Sequence, residues 1–182
     1  MKAAYDHNVR KIWIANVHDP KVAGYDLELF LDMAWNINSV TANTLESHYK
    51  AWLCRQFGEE AGNALFPAMK EFYHLCGERR PEFMGWSQVE TSNMKYPGLT
   101  PVKESEFSTT SFDNERERYL DRYAIIASKV KDAASLIRPE LKDAYFAAIW
   151  YPVLAAEAHA RKLLRNSTAA YQEIKALTYI YN

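Results

Sequence analysis

The sequence is poor in the residues that break or staple a fold. Its 182 residues include 6 glycines, 7 prolines and 2 cysteines. So little Gly and Pro excludes collagenous and low-complexity chains, and two thiols are too few to staple a fold of this size. Cys54 and Cys76 fall in segments that read as separate helices and are expected as core thiols. No basic stretch exceeds a pair and the net charge is −1, so the electrostatic footprint of nucleic-acid binding is missing. No apolar run nears the ~20 residues that span a bilayer. The N-terminal residues are polar where a signal peptide needs an apolar core, and no route of insertion or export is expected from this chain alone.

Catalytic and cofactor signatures are equally scarce. There is no Cys-x-x-Cys, no His-Glu-x-x-His, no phosphate-cradling glycine loop and no Gly-x-Ser-x-Gly elbow. The Glu71–His74 pair in "EFYH" is half of a di-iron bundle motif, and no second Glu-x-x-His completes it. No metal and no cofactor are expected, and the acidic residues of the helices read as solvated faces.

What is present is 48% hydrophobic and 14% aromatic, with 12 Tyr and 5 Trp. A chain of this length buries roughly 70% of its unfolded surface, enough for one real core. The aromatic content fits thick core layers or a carbohydrate-facing surface, and composition does not separate them.

The spacing predicts a mainly α fold, a bundle of about five helices preceded by one short strand. The strand is "KIWIANVHD", Lys11–Asp19, an apolar, β-branched run expected to be buried on both faces. It has no comparable partner downstream, so its sheet must come from another chain or from upstream. Leu27, Phe30, Leu31 and Ala34 predict a short helix from Leu27 to Trp35. Asn43 and Glu46 have capping-box spacing before the stripe Leu45, Tyr49, Trp52, Leu53, which should end at Gly58.

A further helix runs from about Glu59 to Cys76, kinked or restarted at Pro67 and capped by a left-handed Gly77. Residues Glu78 to Phe112 break the periodicity and read as a structured aromatic and Pro-rich loop, with Phe83, Trp86, Tyr96 and Phe107. Tyr119, Tyr123, Ile126, Val130, Ala133 and Ile137 mark the clearest helix, capped by Asp113 or Asn114. Leu141–Leu164 is a long alanine-smoothed helix kinked at Pro152 and expected to be central, and Ala169–Tyr181 closes the bundle.

Asn16, His18 and Asp19 follow the strand at its C-terminal end, where strand-and-helix barrels carry functional side chains. Asp19 capping the next turn and Asn16 satisfying a buried backbone group explain them equally well.

The runs "KIWIANVHD", "LELFLDMAWN", "WLCRQFGEE", "GERRPEFMGW" and "LKDAYFAAIWYPVLAA" resemble, in order over nearly the whole chain, the bacterial xylan α-1,2-glucuronidases of glycoside hydrolase family 115. The resemblance implies a (β/α) barrel followed by a helical bundle. Residues 1–25 would be the last barrel strand and rim loop, and residues 26–182 the bundle, with the irregular loop at about 78–112. It implies an inverting hydrolysis of 4-O-methylglucuronic or glucuronic acid from xylan side chains, whose general acid and base lie outside this sequence. The chain alone is then expected to be inactive, with no catalytic residue of its own. Asn16 matches the asparagine of the family's "NVGD" segment and is expected to contact the uronic acid. Asp19 is expected to order that loop, and His18 stands where the family has glycine.

The partners so implied are glucuronoxylan side chains and the missing barrel domain. An exposed apolar patch where the barrel should sit would favour a homo-oligomer of the isolated chain. A periplasmic or extracellular place is implied for the full-length parent. The other reading, from a different class, is a free-standing helical interaction module whose aromatic loop grips a partner.

Overall fold

A computed structural model of the chain describes residues 1–79, 107–165 and 168–181. Eight α-helices appear among them: α1 (Lys2–Asp6), α2 (Gly24–Trp35), α3 (Leu45–Phe57), α4 (Glu59–Glu78), α5 (Glu115–Ala133), α6 (Lys142–Tyr145), α7 (Tyr151–Arg165) and α8 (Thr168–Tyr181). Five of them pack as a row in chain order, α3 on α4, α4 on α5, α5 on α7 and α7 on α8. The bundle expected from periodicity is there. Its middle member is α5 rather than the alanine-rich α7, which is flanked by α5 and α8.

Helix α5 occupies that place because Tyr119, Tyr123, Ile126, Val130 and Ala133 form an apolar stripe that is buried along its length. Leu53 and Phe57 of α3, Leu65 and Met69 of α4, and Val153, Leu154 and Leu163 of α7 complete one continuous core. The Tyr145 hydroxyl donates to the Val130 carbonyl at 2.6 Å, so its one polar group is satisfied inside that core. Arg122 on α5 bridges Glu71 and Glu78 of α4, and Arg161 joins Glu157 of its own helix to Glu173 of α8.

Several expectations are corrected. Pro67 neither breaks nor restarts α4, which runs unbroken through it. Gly77 does not cap that helix in the left-handed region. It lies inside α4, and the chain leaves the helix at an extended Arg79. Gly58, with φ of 95°, does end α3 as expected. The Asn43 capping box is absent, since Thr44 is the N-cap and makes no capping side-chain bond. Thr44 instead accepts the Thr41 amide in the preceding turn, at 2.9 Å. Asn114 is the N-cap of α5, also without a capping bond.

Pro152 acts one turn upstream. A proline donates no hydrogen bond and crowds the carbonyl four residues back. The helical run answers with a π turn at Phe146–Trp150 between α6 and α7.

The largest correction concerns Lys11–Asp19. Among the described residues there is no strand, and residues 10–18 make no backbone–backbone hydrogen bond. The segment has no regular secondary structure and lies against α2. Trp13 meets Phe30 edge-on at 6.4 Å and donates its indole N–H to the Val9 carbonyl at 2.7 Å. Its neighbours Ile12 and Ile14 point outward, 74% and 86% exposed. The run expected to be buried on both faces is instead largely exposed, with Trp13 and Val17 half-buried, because the chain provides no sheet to cover it. Of the loop expected at about 78–112, residues 80–106, with Phe83, Trp86 and Tyr96, lie outside the described residues. Phe107 is described, and packs on Tyr119 at 4.7 Å.

A close approach in the bundle is at Gly62 of α4, where an added Cβ would stand 2.6 Å from both Cα and N of Cys54 on α3. Backbone cannot swing aside as a side chain can, so Gly62→Ala must push the two helices apart. We expect a loss of about 1–3 kcal/mol and a fall in Tm of several degrees. Thermal unfolding by circular dichroism checks this, and an unchanged Tm would contradict the tight seam.

Candidate functional site

The turn after the irregular segment is built by Asp19. Its Oδ1 accepts the Lys21 amide at 3.0 Å, the Asx-turn geometry that an aspartate before proline favours. Its Oδ2 accepts the hydroxyl of Tyr181, from the far end of α8, at 2.5 Å. Tyr181 stacks on Tyr151 of α7, with ring centroids 4.2 Å apart, and Lys21 lies over its other neighbourhood at 5.2 Å from the ring centre. The hydroxyl of Tyr181 and then the Lys21 amide hold the Asp19 carboxyl below the usual carboxylate range. Burial, followed by the bond to that carboxylate, pushes the Tyr181 phenol up to about 12.

A cleft of about 410 Å³ opens between this turn and α2, within the range of small-molecule sites. Asn16, His18 and Asp19 stand on the loop side, and Asp26, Leu27 and Phe30 on the helix side. Asn16 and His18 are exposed and Asp19 is half-buried. Helix α2 therefore turns its predicted stripe away from the bundle: Leu27 and Phe30 wall the cleft and Leu31 is exposed. The residue it buries in the core is Tyr25, which the stripe omitted. Asp26 was also missed. Burial raises its carboxyl pKa, and a hydrogen bond from Tyr73 of α4 partly offsets that rise.

Tyr25 enters an aromatic cluster with Tyr49 at 4.2 Å, Trp52 at 5.6 Å and Tyr73 at 6.2 Å. Around it, α2 meets α3 through polar contacts. His48 Nε2 lies 3.0 Å from Asp32 Oδ2, its Nδ1 lies 3.3 Å from the Tyr25 hydroxyl, and Arg55 pairs with Glu28. One side-chain ligand atom each of Glu28, Asp32 and His48 lies within 4.8 Å of the other two. Sequence reading had one usable signal for this grouping, the i, i+4 spacing of Glu28 and Asp32. The histidine comes from another helix, where no local motif reveals it. The half-motif Glu71 and His74 is divided between other partners, Glu71 with Arg122 and His74 with Glu78.

Residues 1–83 match the model of Glycosyl hydrolase family 115. A solved structure described as a family GH115 4-O-methyl-α-glucuronidase, BtGH115A, with specificity for decorated arabinogalactans, has the same fold over 100% of this chain, with a TM-score of 0.84 and 37% identity. No curated protein matches. The helical row and the turn at Asp19 thus share the fold of a segment of that solved glycoside hydrolase. The first 83 residues belong to glycoside hydrolase family 115, and the rest of the chain continues the fold of that solved family member. The chain spans 24% of that protein's length.

The Asp19–Tyr181 bond makes a sharp prediction. An aspartate with a lowered folded-state pKa adds stability above its unfolded pKa, and that contribution is lost as pH falls through the folded pKa. Tyr181→Phe removes the larger cause of the lowering. The NMR titration midpoint of the Asp19 carboxyl carbon should therefore rise toward the ordinary value. An unmoved Asp19 midpoint would show that the hydroxyl does not reach it.

Proposed function

We propose that this chain is the supporting helical part of an α-1,2-(4-O-methyl)glucuronidase, buttressing the catalytic barrel and lining one side of its substrate groove. The observation that carries the reading is the irregular segment at residues 10–18, which has no backbone hydrogen-bond partner among the described residues and holds Ile12 and Ile14 in solvent. Unpaired N–H and C=O groups beside outward isoleucines have the form of a strand awaiting a sheet. The 37% identity to a glucuronidase about four times as long supports a barrel as the source of that sheet.

In this reading Asn16 hydrogen-bonds the uronic acid from the cleft rim, and Asp19, fixed by Lys21 and Tyr181, holds the loop that presents it. The general acid and general base of an inverting hydrolysis stand on opposite faces of the sugar, and both belong to the barrel. The substrate is a polysaccharide bearing uronic acid side groups. Glucuronoxylan is the first candidate, and a decorated arabinogalactan, for which the solved relative is specific, is the second. The polymer lies outside the cell, which accords with a periplasmic or extracellular parent.

The purified chain should release no 4-O-methylglucuronic acid from either polymer above a heat-treated control. Release would place the catalytic groups within these 182 residues and overturn the division of labour. Hydrogen exchange adds a test of the carrying observation. The amides of residues 10–18 should exchange fast in the isolated monomer, and the double variant Ile12→Asp, Ile14→Asp should reduce self-association in sedimentation. Slow exchange in a monodisperse monomer would favour a free-standing interaction module, with the segment seated on its own helices.

A further inference from the structure

We propose that Glu28, Asp32 and His48 form a binding site for one divalent transition-metal ion of zinc-like chemistry, clipping α2 to α3. The inference is independent of the glucuronidase reading. Glu28 and Asp32 are one helical turn apart and so project from one face of α2. His48 comes from the second turn of α3, and one ligand atom from each of the three lies within 4.8 Å of the others. Ligands around a tetrahedral ion at about 2.0–2.2 Å are roughly 3.3–3.6 Å apart. Small χ adjustments of half-buried side chains close that gap. Two carboxylate oxygens and one imidazole nitrogen suit zinc, cobalt or manganese better than calcium, which takes six to eight oxygens.

This cluster is more than a set of acidic groups because its imidazole has an outer partner already in place. Tyr25, buried at the hinge of the aromatic cluster, sets its hydroxyl 3.3 Å from His48 Nδ1. Without an ion, Nε2–H donates to Asp32 and Nδ1 accepts the Tyr25 O–H. With an ion, Nε2 gives its lone pair to the metal, the proton sits on Nδ1, and the Tyr25 oxygen accepts it. A hydroxyl both donates and accepts, so the tautomer changes with no hydrogen bond lost at Nδ1. Arg55 engages Oε1 of Glu28 and leaves the carboxylate a second oxygen, and its own side chain is half exposed and free to move into solvent.

The location gives the ion a task. Helix α2 stands outside the packed row, held by Tyr25 and by these polar contacts, while its opposite face walls the cleft with Asp26, Leu27 and Phe30. A metal joining α2 to α3 therefore stiffens the cleft wall without touching its contents.

Calorimetric titration of the 182-residue chain with Zn²⁺, and with Co²⁺ for its visible spectrum, tests the proposal. One ion should bind per chain and raise Tm, and Ca²⁺ should not compete. His48→Gln should abolish binding while its circular dichroism matches the parent chain. Tyr25→Phe keeps the ring and removes the outer partner, and should weaken binding about 10–100-fold. His74→Gln, at the exposed His74–Glu78 pair, should leave the isotherm unchanged. The proposal is overturned if no Zn²⁺ binds, if the folded His48→Gln variant binds as before, or if His74→Gln removes the binding; the Glu28, Asp32 and His48 contacts are then ion pairs and nothing more.

Discussion

The architecture of the cleft traces back to the absence of one side chain at Gly62. Because α4 has no Cβ there, its backbone and that of α3 come into contact at Cys54. On α3, Tyr49 and Trp52 meet one turn apart, and the close seam sets Tyr49 within 5.3 Å of Tyr73 on α4. The slot between them receives Tyr25, and Tyr25 is the only core-buried residue of α2. The position of the cleft wall is thus inherited from the α3–α4 crossing through three aromatic rings. Edge-to-face geometry gives such rings a preferred angle as well as area, so the wall has a defined orientation despite sharing little apolar surface with the row.

The helices were legible in the sequence where burial is one-sided. The stripe of α5 was read residue by residue, because a helix in the middle of a row still presents solvent on its outer edges. Helix α2 was read in the wrong phase. Its leucines and Phe30 do form a stripe, but they face a cleft and an irregular segment rather than the core, and periodicity records only that one side is apolar. Pro67 and Gly77 misled for a related reason. Intrinsic preference predicts a break at each, and the packing of α4 against both α3 and α5 outweighs a cost of a few kcal/mol spread over twenty residues.

Of the site, the loop residues Asn16 and Asp19 were visible because they follow a strand-like run. The partners that give Asp19 its character were not. Tyr181 is 162 positions away, and Asp26 with Tyr73 joins two helices whose crossing no local pattern encodes. The strand expected at Lys11–Asp19 is absent among the described residues. Its β-branched and aromatic residues suit a β-segment, yet hydrogen-bond partners are a property of what lies beside it. Within this chain Trp13 anchors one face to Phe30 and the other face is open.

The bond between Tyr181 and Asp19 also bears on the order of assembly. The row of helices is made of contacts between sequential neighbours, which close small loops and form fast. The cleft depends instead on a contact that closes almost the whole chain, whose loop-closure entropy must be met by everything folded before it. The turn bearing Asn16 therefore takes its final form only once α8 has docked. Until then the rim of the cleft is a nascent loop waiting for its clasp.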